Sequence, residues 1–204
     1  MTLPSLEQAA EAHGLFVMGV DGPRVLLGTD SGWWHVFRDS DEARDGARDP
    51  VDRWSKRVID RMATTFGATA IYPSDGPPYA PFIAWALATG RFWQSPIGMM
   101  IHERAGLMIS IRGALEFPAP LAKASGGASP CLTCVEKPCV SACPVDALSA
   151  HAPYDVPACK AFLRTEAGRA CMEMGCAVRR SCPVSAAFGR PEAQSGFHMN
   201  AFLG

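Results

Sequence analysis

The sequence has no cysteine before Cys131 and no tryptophan after Trp93. No uninterrupted apolar run approaches the ~18 residues that a membrane-spanning helix needs, so no helical membrane span is expected. Neither sign of charge dominates: 19 basic and 20 acidic residues leave a formal net charge of −1, which offers nothing to a nucleic acid or an anionic membrane surface. A basic leader is missing as well, because Glu7, Glu11 and His13 interrupt the N-terminal apolar stretch, and no signal peptide is expected. No G-x-G-x-x-G follows a candidate strand, so a nicotinamide-binding unit is not expected and electrons should arrive singly. These absences point to a soluble, cytoplasmic protein. In that reducing compartment the eight cysteines suit metal binding or redox chemistry better than structural disulfides.

What is present divides the chain in two. All eight cysteines lie at or beyond Cys131, and all five tryptophans lie before it. Between them "PAPLAKASGGASP", residues 118–130, has the proline, glycine and serine content of a linker and no amphipathic period. The expected domains are therefore 1–117 and 131–204, and 48% hydrophobic content over 204 residues is ample for their cores.

In the first part "PSLEQAAEAHG" reads as a short helix ended by Gly14. "LFVMGV" and "RVLLGT" read as strands around an Asp21-Gly22-Pro23 turn. "DPVDRWSKRVIDRMATTFG" is the clearest helix: Asp49 suits its cap, Pro50 its first turn, and Val51, Trp54, Val58, Met62 and Phe66 recur along one face. Asp52, Arg53, Lys56, Arg57 and Asp60 fall on the opposite, solvated face. "ATAIYPS" reads as a strand and "PFIAWALATG" as a buried helix stopped by Gly90. "GMMIHERAGLMISIRGAL" reads as two strands joined near Glu103 to Gly106. The pattern is α+β, with helices covering a largely antiparallel sheet. The tryptophans are expected to fill its core, with stacking on a planar cofactor as the alternative.

The cysteines open with C-x2-C-x4-C-x3-C-P: Cys131, Cys134, Cys139, Cys143 and Pro144. In two-cluster ferredoxins the first three cysteines of such a run hold one cubane and the fourth ligates the other cluster, so a second set is required. Cys159, Cys171, Cys176 and Cys182 supply it, and "CPVS" after Cys182 echoes "CPVD" after Cys143. Eleven residues separate Cys159 from Cys171, a stretched version of the first set. The crossed rule assigns one [4Fe–4S] cluster to Cys131, Cys134, Cys139 and Cys182, and the other to Cys143, Cys159, Cys171 and Cys176. Two four-cysteine zinc sites are the competing reading.

"CLTCVEKPCVSACPVDAL" resembles the ferredoxin motif of electron-transfer subunits and related reductases, including a short helix after Pro144. The layout of the second set, with an early cysteine in "ACKAFLRTEAG" and the rest gathered before "CP", is similar to the C-terminal 2[4Fe–4S] module of epoxyqueuosine reductase, a corrinoid-dependent enzyme. "IHERAGLMISIRG", residues 101–113, and "DPVD", residues 49–52, resemble segments of the cobalamin-processing B12 trafficking chaperones. Glu103, Leu107 and Met108 depart from that family's pattern. The resemblance implies a nitroreductase or flavin-reductase-like core for residues 1–117 and a bacterial ferredoxin-like domain for residues 131–204. It also implies cobalamin or FMN as a cofactor, with Arg112 holding an anionic group and His102 donating a proton or contacting the cofactor. Against these stand an ordinary edge arginine and a histidine satisfied by neighbouring backbone.

The resulting expectation is a corrinoid- or flavin-linked iron–sulfur reductase that meets a redox partner protein. Its first domain is short, which fits either a reduced core that has lost its cofactor or a site completed by a homodimer. The alternative is an electron carrier whose first domain only recognises partners. Arg179 and Arg180 are expected beside the first cluster or on the solvated surface, and the apolar tail from Phe188 to Phe202 is expected to dock on the body or on a second subunit.

Overall fold

The structure, a computed structural model, describes residues 2–121 and 126–204. Residues 122–125, inside the expected linker, lie outside that range. The architecture is α+β around an antiparallel sheet. Two compact units divide the chain: residues 1–92 with 110–127, and residues 93–109 with 128–204. The sequence reading puts residues 93–109 with the first domain; in the structure they pack with the cysteines, through contacts that carry no local signature. Among the described residues no helix is long and apolar enough to cross a membrane.

The first unit begins with α1 (Leu3–Glu11), which Thr2 caps by accepting the Ser5 N–H. Its Leu6 and Ala10 are fully buried and face the sheet. Strands β1 (Leu15–Asp21) and β2 (Arg24–Thr29) form the expected hairpin, closed by the Asp21–Arg24 pair and a Gly22 at φ 56°. A bulge lies between Val17 and Gly19. Two short helices, α2 (Trp33–Arg38) and α3 (Asp41–Arg44), then interrupt the chain before α4 (Pro50–Phe66). Neither was expected, because four to six residues are too few to show a helical period.

Helix α4 buries Val51, Trp54, Val58 and Met62. Asp49 does not cap it with its side chain: its backbone is left-handed, at φ 53° and ψ 46°. The polar face is ion-paired rather than merely solvated, with Arg53 on Asp45, Lys56 on Asp75 and Arg57 on Glu42. Trp33 stacks on Phe37 with centroids 4.7 Å apart and meets Trp54 edge-on at 5.6 Å. Trp33 and Trp54 are therefore core.

Strand β3 (Thr69–Ile71) and helix α5 (Phe82–Ala88) follow. Only Phe82 and Ala86 of α5 are buried while Ile83 and Leu87 are exposed, so it is half buried, not the buried helix its composition suggests. After β4 (Phe92–Gln94) and β5 (Met100–His102) comes β6 (Ile111–Glu116). The four-stranded sheet runs β1-β2-β6-β3, and β5 pairs with β4. The expected β5–β6 hairpin is thus not formed: β6 finds its partners in β2 and β3, and only a His102–Gly106 bridge closes the turn after β5.

In the second unit Cys131 and Cys139 sit on 3₁₀ turns at Pro130–Leu132 and Pro138–Val140, Cys159 and Cys171 sit on short helices, and Cys134, Cys143, Cys176 and Cys182 lie in the segments between elements. Among the described residues the α-helices of this unit are five. These are α6 (Val156–Leu163), α7 (Arg169–Met174), α8 (Ala177–Ser181), α9 (Pro183–Phe188) and α10 (Glu192–Leu203). The helix expected after Pro144 is absent: that segment is turn, with Asp146 at φ 51°. Helix α10 docks on α7 so closely that a Cβ on Gly196 would lie 2.7 Å from the Glu173 carbonyl oxygen. The apolar tail accordingly covers the helix that carries Cys171.

Candidate metal centres

Cys131, Cys134, Cys139 and Cys182 line one cavity of about 430 Å³. Cys143, Cys159, Cys171 and Cys176 line another, of about 20 Å³. The four members of each crossed set thus line a common cavity, although Cys182 comes from a segment far along the chain from the first three. All eight are free thiols.

Local structure explains the placement. The 3₁₀ turns hold Cys131 and Cys139 at the two ends of a tight loop, with Ser129 accepting the Cys131 N–H at 3.3 Å. Cys182 stands at the junction of α8 and α9, and Pro183 starts the next helix, where its missing N–H costs nothing. Helix α6 presents Cys159, fixed by Asp155, whose carboxylate accepts the Ala158 N–H at 2.8 Å. Cys171 lies within α7, and Cys176 precedes α8.

The segment before residue 110 builds the other wall of the first cavity. Gly106, at φ 57°, approaches α9 so closely that a Cβ would lie 2.4 Å from the Ser185 backbone nitrogen. Leu107 donates its N–H to Ser185 Oγ at 2.8 Å, and its carbonyl accepts from Arg179 Nη1 at 2.5 Å. Arg190 donates to the Met108 carbonyl. Ile97, Ile101 and Leu107 pack with Cys139, Cys182 and Val178 in one buried cluster. Cys139 and Cys182 therefore sit buried in an apolar setting.

That setting acts on the thiols. Burial pushes the Cys131 and Cys139 thiols up, and the neighbouring cysteines of the same set add to the rise. Burial also raises Cys176; the backbone N–H groups of Arg179 and Val178 pull it down by less. Burial, then the hydrogen bond with Cys159, raises the Tyr154 hydroxyl. Ligand-free thiols at these positions are protonated at neutral pH, so binding a metal must expel protons.

Both donor sets have the chemistry of a thiolate-ligated centre. Among the described residues no three His, Cys, Asp or Glu side chains converge closely enough for a single metal ion. A cubane asks for something else, one thiolate at each of four iron corners, with the sulfurs spread around a cavity. The first cavity has four cysteines in its lining and a volume of about 430 Å³. The second has the four donors but only about the volume of one water, so its walls must spread to admit a cubane.

The remaining sequence candidates fall elsewhere. His102 is fully buried, and its Nδ1 accepts the N–H groups of Arg104 and Ala105, each at 3.1 Å. It organises the turn that delivers Leu107 to the first cavity. Arg112, on β6, donates from Nε to its neighbour's carbonyl at 3.0 Å and lies 3.5 Å from Asp52. Burial lowers its pKa and Asp52 offsets part of that. Arg179 is not solvated; it holds the Leu107 carbonyl at the wall of the first cavity and also lies toward Cys176 and Tyr154 at the second. Arg180 donates to the Gly175 carbonyl at 3.0 Å. Sequence reasoning overlooked Ser95, Ser185 and Tyr154, single polar residues in apolar stretches whose roles depend on distant partners.

Comparison of the chain with family models, with curated proteins and with solved structures finds no match.

Proposed function

We propose that this is a two-cluster iron–sulfur protein that transfers single electrons. One [4Fe–4S] cluster would be held by Cys131, Cys134, Cys139 and Cys182, and the other by Cys143, Cys159, Cys171 and Cys176. The observation that carries this reading is the partition of eight thiols into two cavities along the crossed pairing. Such clusters supply one-electron chemistry at potentials set by burial and by hydrogen bonds to sulfur.

The chain's own residues serve that role unequally. The second cavity is enclosed by α6, α7 and Tyr154, and Tyr154 stacks on Phe202 at 6.3 Å. The first opens beside Leu132 and Val135, which are 78% and 92% exposed. Two exposed apolar side chains next to cluster ligands suit the small, weak interfaces of redox encounters, so a redox partner protein would meet the chain there. The ferredoxin-like and nitroreductase-like domain assignments belong to this proposal.

A second reading makes a corrinoid or flavin the electron acceptor on the first unit, as in a reductase or a cofactor-processing protein. Arg112 favours it: a largely buried guanidinium with one ion pair at 3.5 Å keeps donors for an anionic cofactor group. Anaerobic reductive titration tests the main reading. Uptake of about two electrons per chain, with bleaching near ~400 nm, is expected for two such clusters, and no uptake would contradict it.

A further inference from the structure

The second cavity, at about 20 Å³, is too narrow for the group its four cysteines would hold, so part of its wall has to move. Its lining comes from residues 143–148, Tyr154, α6, α7, the start of α8 and Met199 of α10. Most of these elements carry or adjoin a ligand: Cys143 opens the first segment, Cys159 and Cys171 lie in α6 and α7, and Cys176 precedes α8. Moving any of them displaces a sulfur. Helix α10 carries no cysteine, so Met199 can withdraw without disturbing the donor set.

Helix α10 is held unequally along its length. Its first half is anchored: Gln194, Ser195 and Gly196 are buried, and a Cβ on Gly175 would lie 2.6 Å from Ser195 Cβ. Its last turn is looser, with Asn200 and Ala201 exposed and Phe202 and Leu203 half-buried. Side-chain contacts hold that end down. Lys160, next to Cys159, donates to the Leu203 carbonyl at 3.3 Å and places its ammonium 5.2 Å from the Phe202 ring centre. Phe202 in turn stacks on Tyr154 at 6.3 Å, so one ring secures both the helix end and the tyrosine of the lining. Such contacts are individually weak, and local openings are drawn from weakly held ends. The joint between the two halves is also soft: Gly196 is a poor helix former, and Asn200 donates its side-chain amide to the Gly196 carbonyl at 3.0 Å, giving that carbonyl a partner outside the backbone ladder.

We infer that the last turn of α10 is a gate on the second cysteine set, lifting about Gly196 to withdraw Met199 and free Tyr154, and so admitting and releasing the group held by Cys143, Cys159, Cys171 and Cys176; this rests on the function proposed above. Opening breaks the Lys160–Leu203 hydrogen bond and parts the contacts of the Phe202 ring, with no covalent bond changed. The first cavity opens beside exposed Leu132 and Val135. The first centre therefore exchanges its contents directly, and the second only as often as the gate opens.

The test uses the full chain, reconstituted anaerobically, as wild type, Phe202→Ala and Phe202→Tyr. Iron is counted and circular dichroism checks the fold. A ferrous-iron chelator is then added, and electron paramagnetic resonance of samples reduced at intervals follows each centre. Losing one ring stack and one cation–ring contact should speed iron loss from the second centre about tenfold in Phe202→Ala. The first centre should keep its wild-type rate, and Phe202→Tyr, which retains the ring, should match wild type at both. A loaded Phe202→Ala chain whose second centre decays at the wild-type rate would overturn the inference and leave the proposed function intact. Equal acceleration at both centres would do the same, because it marks general loosening. A wild-type chain that takes up no iron on the second set would overturn both.

Discussion

Ser185 Oγ accepts the backbone N–H of Leu107 at 2.8 Å, joining residues 78 positions apart. The bond links the turn after β5 to the helix that follows Cys182, and so fixes the apolar wall of the first cavity against its fourth cysteine. Ser185→Ala would leave that buried N–H unsatisfied, a cost of about 1–3 kcal/mol. Chemical denaturation should register the loss, and iron retention should drop at the first centre before the second. Unchanged stability would mean that water or a shifted neighbour replaces the hydroxyl.

The crossed pairing makes an opposed pair of predictions. Cys143→Ser should weaken the second centre although Cys143 lies in the first motif, and Cys182→Ser should weaken the first centre although Cys182 lies in the last. Electron paramagnetic resonance of each reduced variant would distinguish the losses. If Cys143→Ser removed the centre built on Cys131, Cys134 and Cys139, the pairing would be wrong.

Loading should release protons. Burial holds the Cys131, Cys139 and Cys176 thiols above their ordinary value of 9.0, so they are protonated at neutral pH and must lose those protons to bind metal. Anaerobic reconstitution in weak buffer should acidify the solution, and retention should weaken as pH falls. A loading that is independent of pH would contradict the protonated state of the free thiols.

A separate pH effect belongs to the first unit. Arg57 binds both carboxylate oxygens of Glu42, holding its pKa down from 4.5 to about 2. A depressed carboxylate stabilises the fold above its unfolded pKa, and that contribution fades as pH falls from about 4.5 toward 2. Because Arg57 is partly solvated, the pair contributes only about 1 kcal/mol. Glu42→Gln should therefore cost about that much at pH 7 and almost nothing near pH 2, as read by denaturation at both values.

The corrinoid or flavin reading stands on Arg112. Cobalamin or FMN added anaerobically should change its spectrum with wild-type protein and not with Arg112→Ala, with circular dichroism confirming that the variant is folded. If neither cofactor responds to the wild type, the electron-carrier reading holds.

Legibility in the sequence followed the range of the interactions. Helix α4 was readable because Val51, Trp54, Val58 and Met62 declare their buried face within one segment. The two cysteine sets were readable from the spacing and order of the cysteines alone, and each set lines its own cavity. The short α2 and α3 were hidden by their length. Strands β5 and β6 read as neighbours because they are close in sequence, but backbone pairing depends on which strand edges are free, and β2 and β3 claim β6. The place of residues 93–109 among the cysteines rests on Ser185, Arg179 and Arg190 reaching back to Leu107 and Met108. Ser95, whose hydroxyl has no hydrogen-bond partner among the described residues, left no pattern to read.

The central claim is that the eight cysteines hold two cubanes, and metal analysis of anaerobically purified protein tests it most directly. About eight irons and eight acid-labile sulfides per chain are expected for two [4Fe–4S] clusters. About two zinc ions per chain with no sulfide would contradict the claim outright, and about four irons with one zinc would contradict it at the narrower second cavity.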